Sequence, residues 1–399
     1  MTTTPNAAGL LSSAHLRESD CRLEDFAAVL EQQTAVGDFH HADHVERNVV
    51  IYDSDRLRQA TRDEADRLAV EAELARALST GPGIVVVQGA FADLDVVDRA
   101  TAVFDDMIAD QGRGSEAVGD HFAKPGANDR VWNALEKLAV RDPETFVDYY
   151  ANEVIALVSA AWLGPGYQVT SQVNVVRPGG IAQDPHRDYH LGFLSNAVAE
   201  RFPAHVHCLS PALTLQGAVA HSDMPVESGP TMYLPYSHQY APGYLAWRLP
   251  EFREYFVDHH VQLPLAKGDA VFFNPALFHG AGSNVSTDIQ RMANLLQVSS
   301  AFGRAMEQID RTKTAKAIYP ALAERLAAGM PLQLLENAVA AAGEGYPFPT
   351  NLDRDQPVGG LTPLAQTDIL RDALVNGVGV AEVSKRLDDY AARRQTSEI

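Results

Sequence analysis

The stretch "DPHRDYH", Asp184–His190, places two histidines and two aspartates within seven residues near the middle of a 399-residue chain. Residues two apart on an extended strand point to one face. His186 and Asp188 therefore aim one way and Arg187 the other. One imidazole and one carboxylate are two-thirds of the 2-His-1-carboxylate set of non-haem Fe(II) oxygenases. Three protein ligands on one face leave positions open for a bidentate cosubstrate and O2. A third ligand is expected from a later strand, and "GDAVFFNPALFHGAGSN" (268–284) supplies His279 after the apolar run Val271–Phe273. Twelve residues on, Arg291 opens another strand-like run. A guanidinium is a planar fork that pairs bidentately with a carboxylate. With no acid beside it in sequence, Arg291 suits the distal carboxylate of 2-oxoglutarate.

The surroundings read as a β core between helical segments. From 167 to 302, short strand-like runs recur between Gly and Pro turns: "YQVTSQVNVV", "PALTLQGAVAH", "GPTMYLP", "HVQLPL", "AVFFNP" and "RMANLLQVSSAF". That pattern predicts an antiparallel sandwich or barrel. Upstream, Leu68, Val70, Leu74 and Leu78 recur at helical spacing over 62–80. "GPG" ends that helix, and Ile84–Val87 reads as a buried strand. Further helices are expected over 92–111 and 143–161, the latter with Asp142 as cap and Pro143 in its first turn. After 303 the pattern is helical, apart from a Gly/Pro-rich connector at 343–363. The expected organisation is an N-terminal extension (1–60), a catalytic domain (61–302) and a helical C-terminal extension (303–399), α+β in class.

Composition narrows the partners. The formal net charge is −20, which disfavours nucleic acid and anionic membranes. Apolar content of 46% with 21% charged residues is ordinary for a soluble globular chain. No apolar run approaches membrane-spanning length, and "MTTTPNAAGLLSSAHLRESD" lacks the basic start and apolar run of a signal peptide. The two cysteines, Cys21 and Cys208, form no C-x-x-C pair, so a zinc ribbon or redox motif is excluded. A cytoplasmic setting is expected. His40 and His44 are four apart with no obvious third ligand and read as part of a solvated segment.

Taken together, "GPGIVVVQGAF", "HRD", "ESGPTMYLPYSH" (227–238), "KGDAVFFNPALFHGAGSN" (267–284) and the Arg291 strand resemble the phytanoyl-CoA dioxygenase family of Fe(II)/2-oxoglutarate oxygenases, over residues 80–302. The resemblance implies a double-stranded β-helix, a jelly-roll or cupin-like core with helices packed outside. It implies Fe(II) held by His186, Asp188 and His279, and 2-oxoglutarate anchored by Arg291. Two features depart from the family pattern: "PYSH" stands where Pro-Gly-Ser-His is usual, and the extension after 303 is additional.

The remaining expectations concern the rim. In "TSQVNVV", Thr170, Gln172, Asn174 and Val176 share one face, which makes Gln172 and Asn174 candidate cosubstrate contacts. Gln216 is a weaker one by similar alternation. His121, Asn128, Arg130, Trp132 and His190 are candidate substrate contacts, while His238 reads as a loop-fixing residue. Asp188 favours hydroxylation or desaturation, since Ala or Gly there would open a halide site as in related halogenases. The expected substrate is a small polar metabolite, with O2 and 2-oxoglutarate converted to succinate and CO2. Acyl-CoA phosphates need clustered Lys or Arg, and here Lys124, Arg130, Lys137 and Arg201 are interleaved with acids. The alternatives are a cupin-like metalloenzyme without 2-oxoglutarate and a non-catalytic jelly-roll binding protein. The C-terminal helices are expected to pack on the core or to form a subunit contact in a homo-oligomer.

Overall fold

The computed structural model describes residues 14–112 and 128–396. Contacts divide them into two units, one of residues 14–90, 128–130 and 174–295, the other of 91–112, 131–173 and 296–396. The strands are β1 (His44–Glu46), β2 (Val49–Asp53), β3 (Ile84–Gln88), β4 (Asn128–Val131), β5 (Gln168–Val176), β6 (Thr214–Ala220), β7 (Met232–Leu234), β8 (Ala270–Phe273), β9 (Phe278–Gly280) and β10 (Arg291–Ser299). Eight form one sheet, in the order β1-β2-β3-β8-β6-β10-β5-β4, and β7 pairs with β9 in a second.

The first unit is a two-sheet sandwich. β3 is a run of β-branched residues buried on both faces, as a central strand should be. It lies parallel to β2 and antiparallel to β8. The helix Glu64–Ser79 makes the β2–β3 crossover. Asp63 caps it, accepting the N–H groups of Ala65 and Asp66, and Val70, Leu74, Ala77 and Leu78 are buried. Leu68, expected on that stripe, is 60% exposed. Val49, Ile51, Ile84, Val86, Ala218, Val271 and Phe273 from the large sheet pack with Tyr233, Leu263 and Leu277. Each Val, Leu, Ile or Phe side chain among them stabilises the fold by roughly 1.5–3 kcal/mol when fully buried. The small sheet is widened by isolated bridges, His186 to His279 and Tyr233 to Val261. This is the double-stranded β-helix arrangement.

Two local readings change. "HVQLPL" makes only bridges at Val261 and Leu265, because Pro264 has no N–H for a ladder. β2, within a segment that reads as polar, is a buried strand whose hairpin with β1 turns through positive φ at Arg47 and Asn48.

The second unit is helical. Arg311–Ala327 contacts Ala134–Arg141, Pro143–Tyr150, Leu332–Ala342, Gln366–Val375 and Val380–Arg393. Asp142 caps Pro143–Tyr150 as expected, but the helix does not continue to 161. Asn152 instead accepts the N–H groups of Val154 and Ile155 and starts a new helix, Glu153–Leu163. Buried charge here is satisfied. Arg311 donates to the carbonyls of Ala341 (2.7 Å) and Val169 (2.8 Å). Asp355, 7% exposed, pairs with Arg393 (2.8 Å) and Arg394 (3.1 Å). Among the described residues, no helix is long and apolar enough to cross a membrane.

Candidate metal centre

The segment carrying His186 and Asp188 is extended and lies against β9. His186 and His279 exchange backbone hydrogen bonds of 2.9 and 3.2 Å, and the Asp188 N–H donates to the Pro275 carbonyl (3.0 Å). The chain then turns sharply through positive φ at Tyr189 and His190 into a short turn, His190–Phe193. β9 in turn lies against β7, with His279 opposite Tyr233.

Three side chains converge. One ligand atom each from His186, Asp188 and His279 lies within 4.8 Å of the other two. Asp188 Oδ1 is 3.7 Å from His186 Nε2, and its Oδ2 is 3.6 Å from His279 Nε2. Both Nδ1 atoms are held by backbone, His186 on Asp184 O (3.0 Å) and His279 on Leu277 O (2.8 Å). A carbonyl only accepts, so each Nδ1 carries the proton and each Nε2 is left as a lone pair for a metal. Burial moves the His186 imidazole below its ordinary pKa, against the pull of Asp188, which favours the neutral form that binds metal. Burial would raise the Asp188 carboxyl. His186, His279 and Gln216 outweigh it and hold the group below the usual carboxylate range. His279 is buried, whereas His186 and Asp188 stay partly open on one side. The two-nitrogen, one-oxygen donor set fits an octahedral Fe(II) with open positions.

Gln216 is placed differently from the cosubstrate contact expected of it. It faces the sandwich interior beside Ala218, opposite Phe273. Its Nε2 donates to Asp188 Oδ2, and its buried Oε1 has no hydrogen-bond partner among the described residues. The Phe273 ring packs 4.7 Å from the His279 ring and 5.1 Å from that of Tyr233.

Arg291 shares a face of β10 with Ala293 and Leu295, which pack into the same interior. It is 7% exposed and donates through Nη1 to Gly229 O. It has no carboxylate partner among the described residues. Burial pushes the guanidinium down to about 10, with Tyr233 opposing the shift.

The other candidates are spread out. Asn174 has a buried Oδ1 without a partner among the described residues. Gln172 belongs to the second unit, where its amide faces the Met306 sulfur at 3.8 Å. Asn128 Oδ1 is buried near Gly180, Arg130 is buried, and Trp132 belongs to the second unit. The His190 Nδ1 meets Ser210 Oγ at 2.9 Å. His121 and Lys124 lie outside the described residues. His238 donates from Nε2 to Ser79 O (2.9 Å), tying its loop to a helix end.

Arg187 does point away from the triad, but into a second buried cluster that the sequence does not announce. Its Nη2 donates to Ser237 O (2.5 Å) and Tyr240 O (3.0 Å), and its guanidinium lies 5.1 Å over Tyr244 and 5.3 Å over Phe278. The only hint in sequence is the run of tyrosines and glycine in "YSHQYAPGY".

A two-sheet sandwich with two histidines and one carboxylate converging on it is a double-stranded β-helix protein whose triad could hold one metal ion. The chain matches the phytanoyl-CoA dioxygenase (PhyH) family over residues 58–293, more than half its length, and it belongs to that family. The family uses Fe(II) and 2-oxoglutarate, and His186, Asp188 and His279 could bind iron. No curated protein matches the chain. Among solved structures, it is similar to the non-heme alpha ketoglutarate dependent epimerase SnoN from nogalamycin biosynthesis, with 22% identity, TM-score 0.39, and coverage of 60% of this chain and 84% of that one. It is also similar to the carbocyclase SnoK of the same biosynthesis, with 21% identity, TM-score 0.40, and coverage of 57% and 83%.

Proposed function

We propose that the protein is an Fe(II)/2-oxoglutarate-dependent dioxygenase that hydroxylates a small, polar metabolite. The observation that carries this reading is the pairing of the His186–Asp188–His279 face with Arg291. Arg291 is a buried cation on the sandwich interior whose described acceptor is one carbonyl. In this reading iron with 2-oxoglutarate supplies the oxidising chemistry: one O2 and one 2-oxoglutarate give succinate, CO2 and one oxygen atom inserted into a substrate C–H bond. The chain supplies position. His186, Asp188 and His279 hold the metal, and Arg291 holds the C5 carboxylate of 2-oxoglutarate. Asn174, in the same unit as the triad, is offered as a further cosubstrate contact through its side-chain N–H groups. Gln216 fixes the Asp188 carboxylate. Asn128, Arg130 and His190 are proposed to border the substrate. All of these residues fall within 61–302.

Charge supports a compact polar substrate over an acyl-CoA. Two basic residues are already matched by acids, Arg177 by Asp129 (2.5 Å) and Arg253 by Asp184 (3.2 Å). Such pairing lowers the positive charge on offer to several phosphates among the described residues. Two free cysteines, one of them exposed, fit a reducing cytoplasm.

The test is succinate release under air with Fe(II) and 2-oxoglutarate, across small polar acids, amines, sugars and CoA thioesters. The expected result is coupled turnover with a small polar compound. Efficient turnover of a CoA thioester alone would replace the substrate class, and no succinate with any compound would remove the dioxygenase reading.

A further inference from the structure

Arg187 sits between two of the three ligands of the proposed metal site, yet it faces away from them and lacks an acidic partner among the described residues. A fully buried guanidinium is costly unless its N–H groups and charge are met. Here the charge and Nη2 are met by one short segment, 237–244, and by one ring from β9, while Nε has no hydrogen-bond partner among the described residues. The carbonyls of Ser237 and Tyr240 take Nη2, and the faces of Tyr244 and Phe278 flank the cation.

Each partner leads back to a ligand. Phe278 precedes His279 in β9, and its N–H donates to Ser237 Oγ (2.8 Å). The Tyr244 hydroxyl donates to the backbone carbonyl of Asp188 (3.4 Å). Trp247, three residues on, places its ring 6.5 Å from that of His186. The space is also shaped for the guanidinium. A Cβ at Gly243 would overlap its Cζ, and one at Gly192 would overlap the Arg187 carbonyl.

We propose that Arg187 is a positioning residue: it clamps segment 237–244 and Phe278 against the backbone at Asp188 and His279, and so sets the spacing of the ligands and the affinity of the site for a divalent metal. It touches neither metal nor substrate. The inference rests on the metal-site reading above.

The experiment titrates Co(II) into metal-free full-length protein and follows affinity and visible d–d absorption. It compares wild type, Arg187→Met, Arg187→Lys and Gly243→Ala. Loss of an outer partner of metal ligands typically costs about 10–100-fold in metal affinity. Arg187→Met should fall in that range with an altered spectrum, and Arg187→Lys should recover part of it by restoring the charge. Gly243→Ala, with Arg187 intact, should shift the spectrum the same way by displacing the guanidinium. Wild-type affinity and spectrum in folded Arg187→Met overturn the proposal and leave Arg187 as packing. If Arg187→Met does not fold, the same wild-type behaviour in Arg187→Lys and Gly243→Ala overturns it. A wild-type protein that takes up no Co(II) instead removes the metal-site reading itself, so the two failures are distinguishable.

Discussion

Two buried arginines, Arg311 in the helical unit and Arg291 in the sandwich unit, are treated in opposite ways. In the helical unit, Arg311 fills two carbonyls and Asp355 takes two arginines, so each charge is matched within the fold. In the sandwich unit, Arg291 has one carbonyl, and Gln216 Oε1 and Asn174 Oδ1 have no partner among the described residues. A buried polar group left unmatched costs about 1–3 kcal/mol. Such a cost suits a position where a ligand supplies the missing partner. Unmatched buried atoms occur in the helical unit too, at Ser159 Oγ and Gln297 Oε1, so the contrast that marks the site is that of Arg291 against Arg311.

That contrast makes quantitative predictions. The largest effect should follow Asp188→Ala, which removes the carboxylate between two imidazoles. Metal content after dialysis should fall to background and succinate release should vanish, while circular dichroism stays near wild type. Retained iron and turnover would end the assignment. Asp355→Ala should act on stability alone. It strands Arg393 and Arg394, and should cost at most about 3 kcal/mol in urea unfolding, the low end for buried pairs because Arg393 remains open to water. Metal affinity should not change.

Arg291→Ala should weaken 2-oxoglutarate binding by roughly ten- to a hundredfold, the loss of one charged hydrogen bond of about 1.5–3 kcal/mol. Calorimetry on metal-loaded protein would detect it, and metal content should be near normal. An unchanged 2-oxoglutarate affinity would make Arg291 a scaffold charge like Arg311.

The smallest effect concerns pH. Burial pushes His238 down to about 4, while its imidazole in the unfolded chain protonates near about 6.5. The folded state therefore binds this proton less readily. The stability His238 contributes is complete above the unfolded value and declines as pH falls through the window down to about 4. Urea midpoints for wild type and His238→Gln should converge across that window, and parallel curves would contradict the prediction.

Sequence alone carried what depends on short-range periodicity. The two-residue repeat puts His186 and Asp188 on one side of an extended segment whatever surrounds them. The β-branched run at 84–87 and the Asp142–Pro143 helix start are equally local. The apolar strand before His279 and the position of Arg291 in "RMANLL" could also be read directly, because burial of a strand shows in its composition.

What the sequence left open was decided by contacts between distant segments. Leu68 has helical spacing but lies exposed, because the interior is met by the stripe through Val70 and Leu74. Gln172 and Asn174 share a face of β5 yet belong to different units. Gln216 meets Asp188 across 28 residues, and Arg187 meets Ser237 across 50. No local pattern encodes such pairings. A hydrogen bond or a cation over a ring depends on where two backbones are brought together, and only the packed sandwich sets that distance.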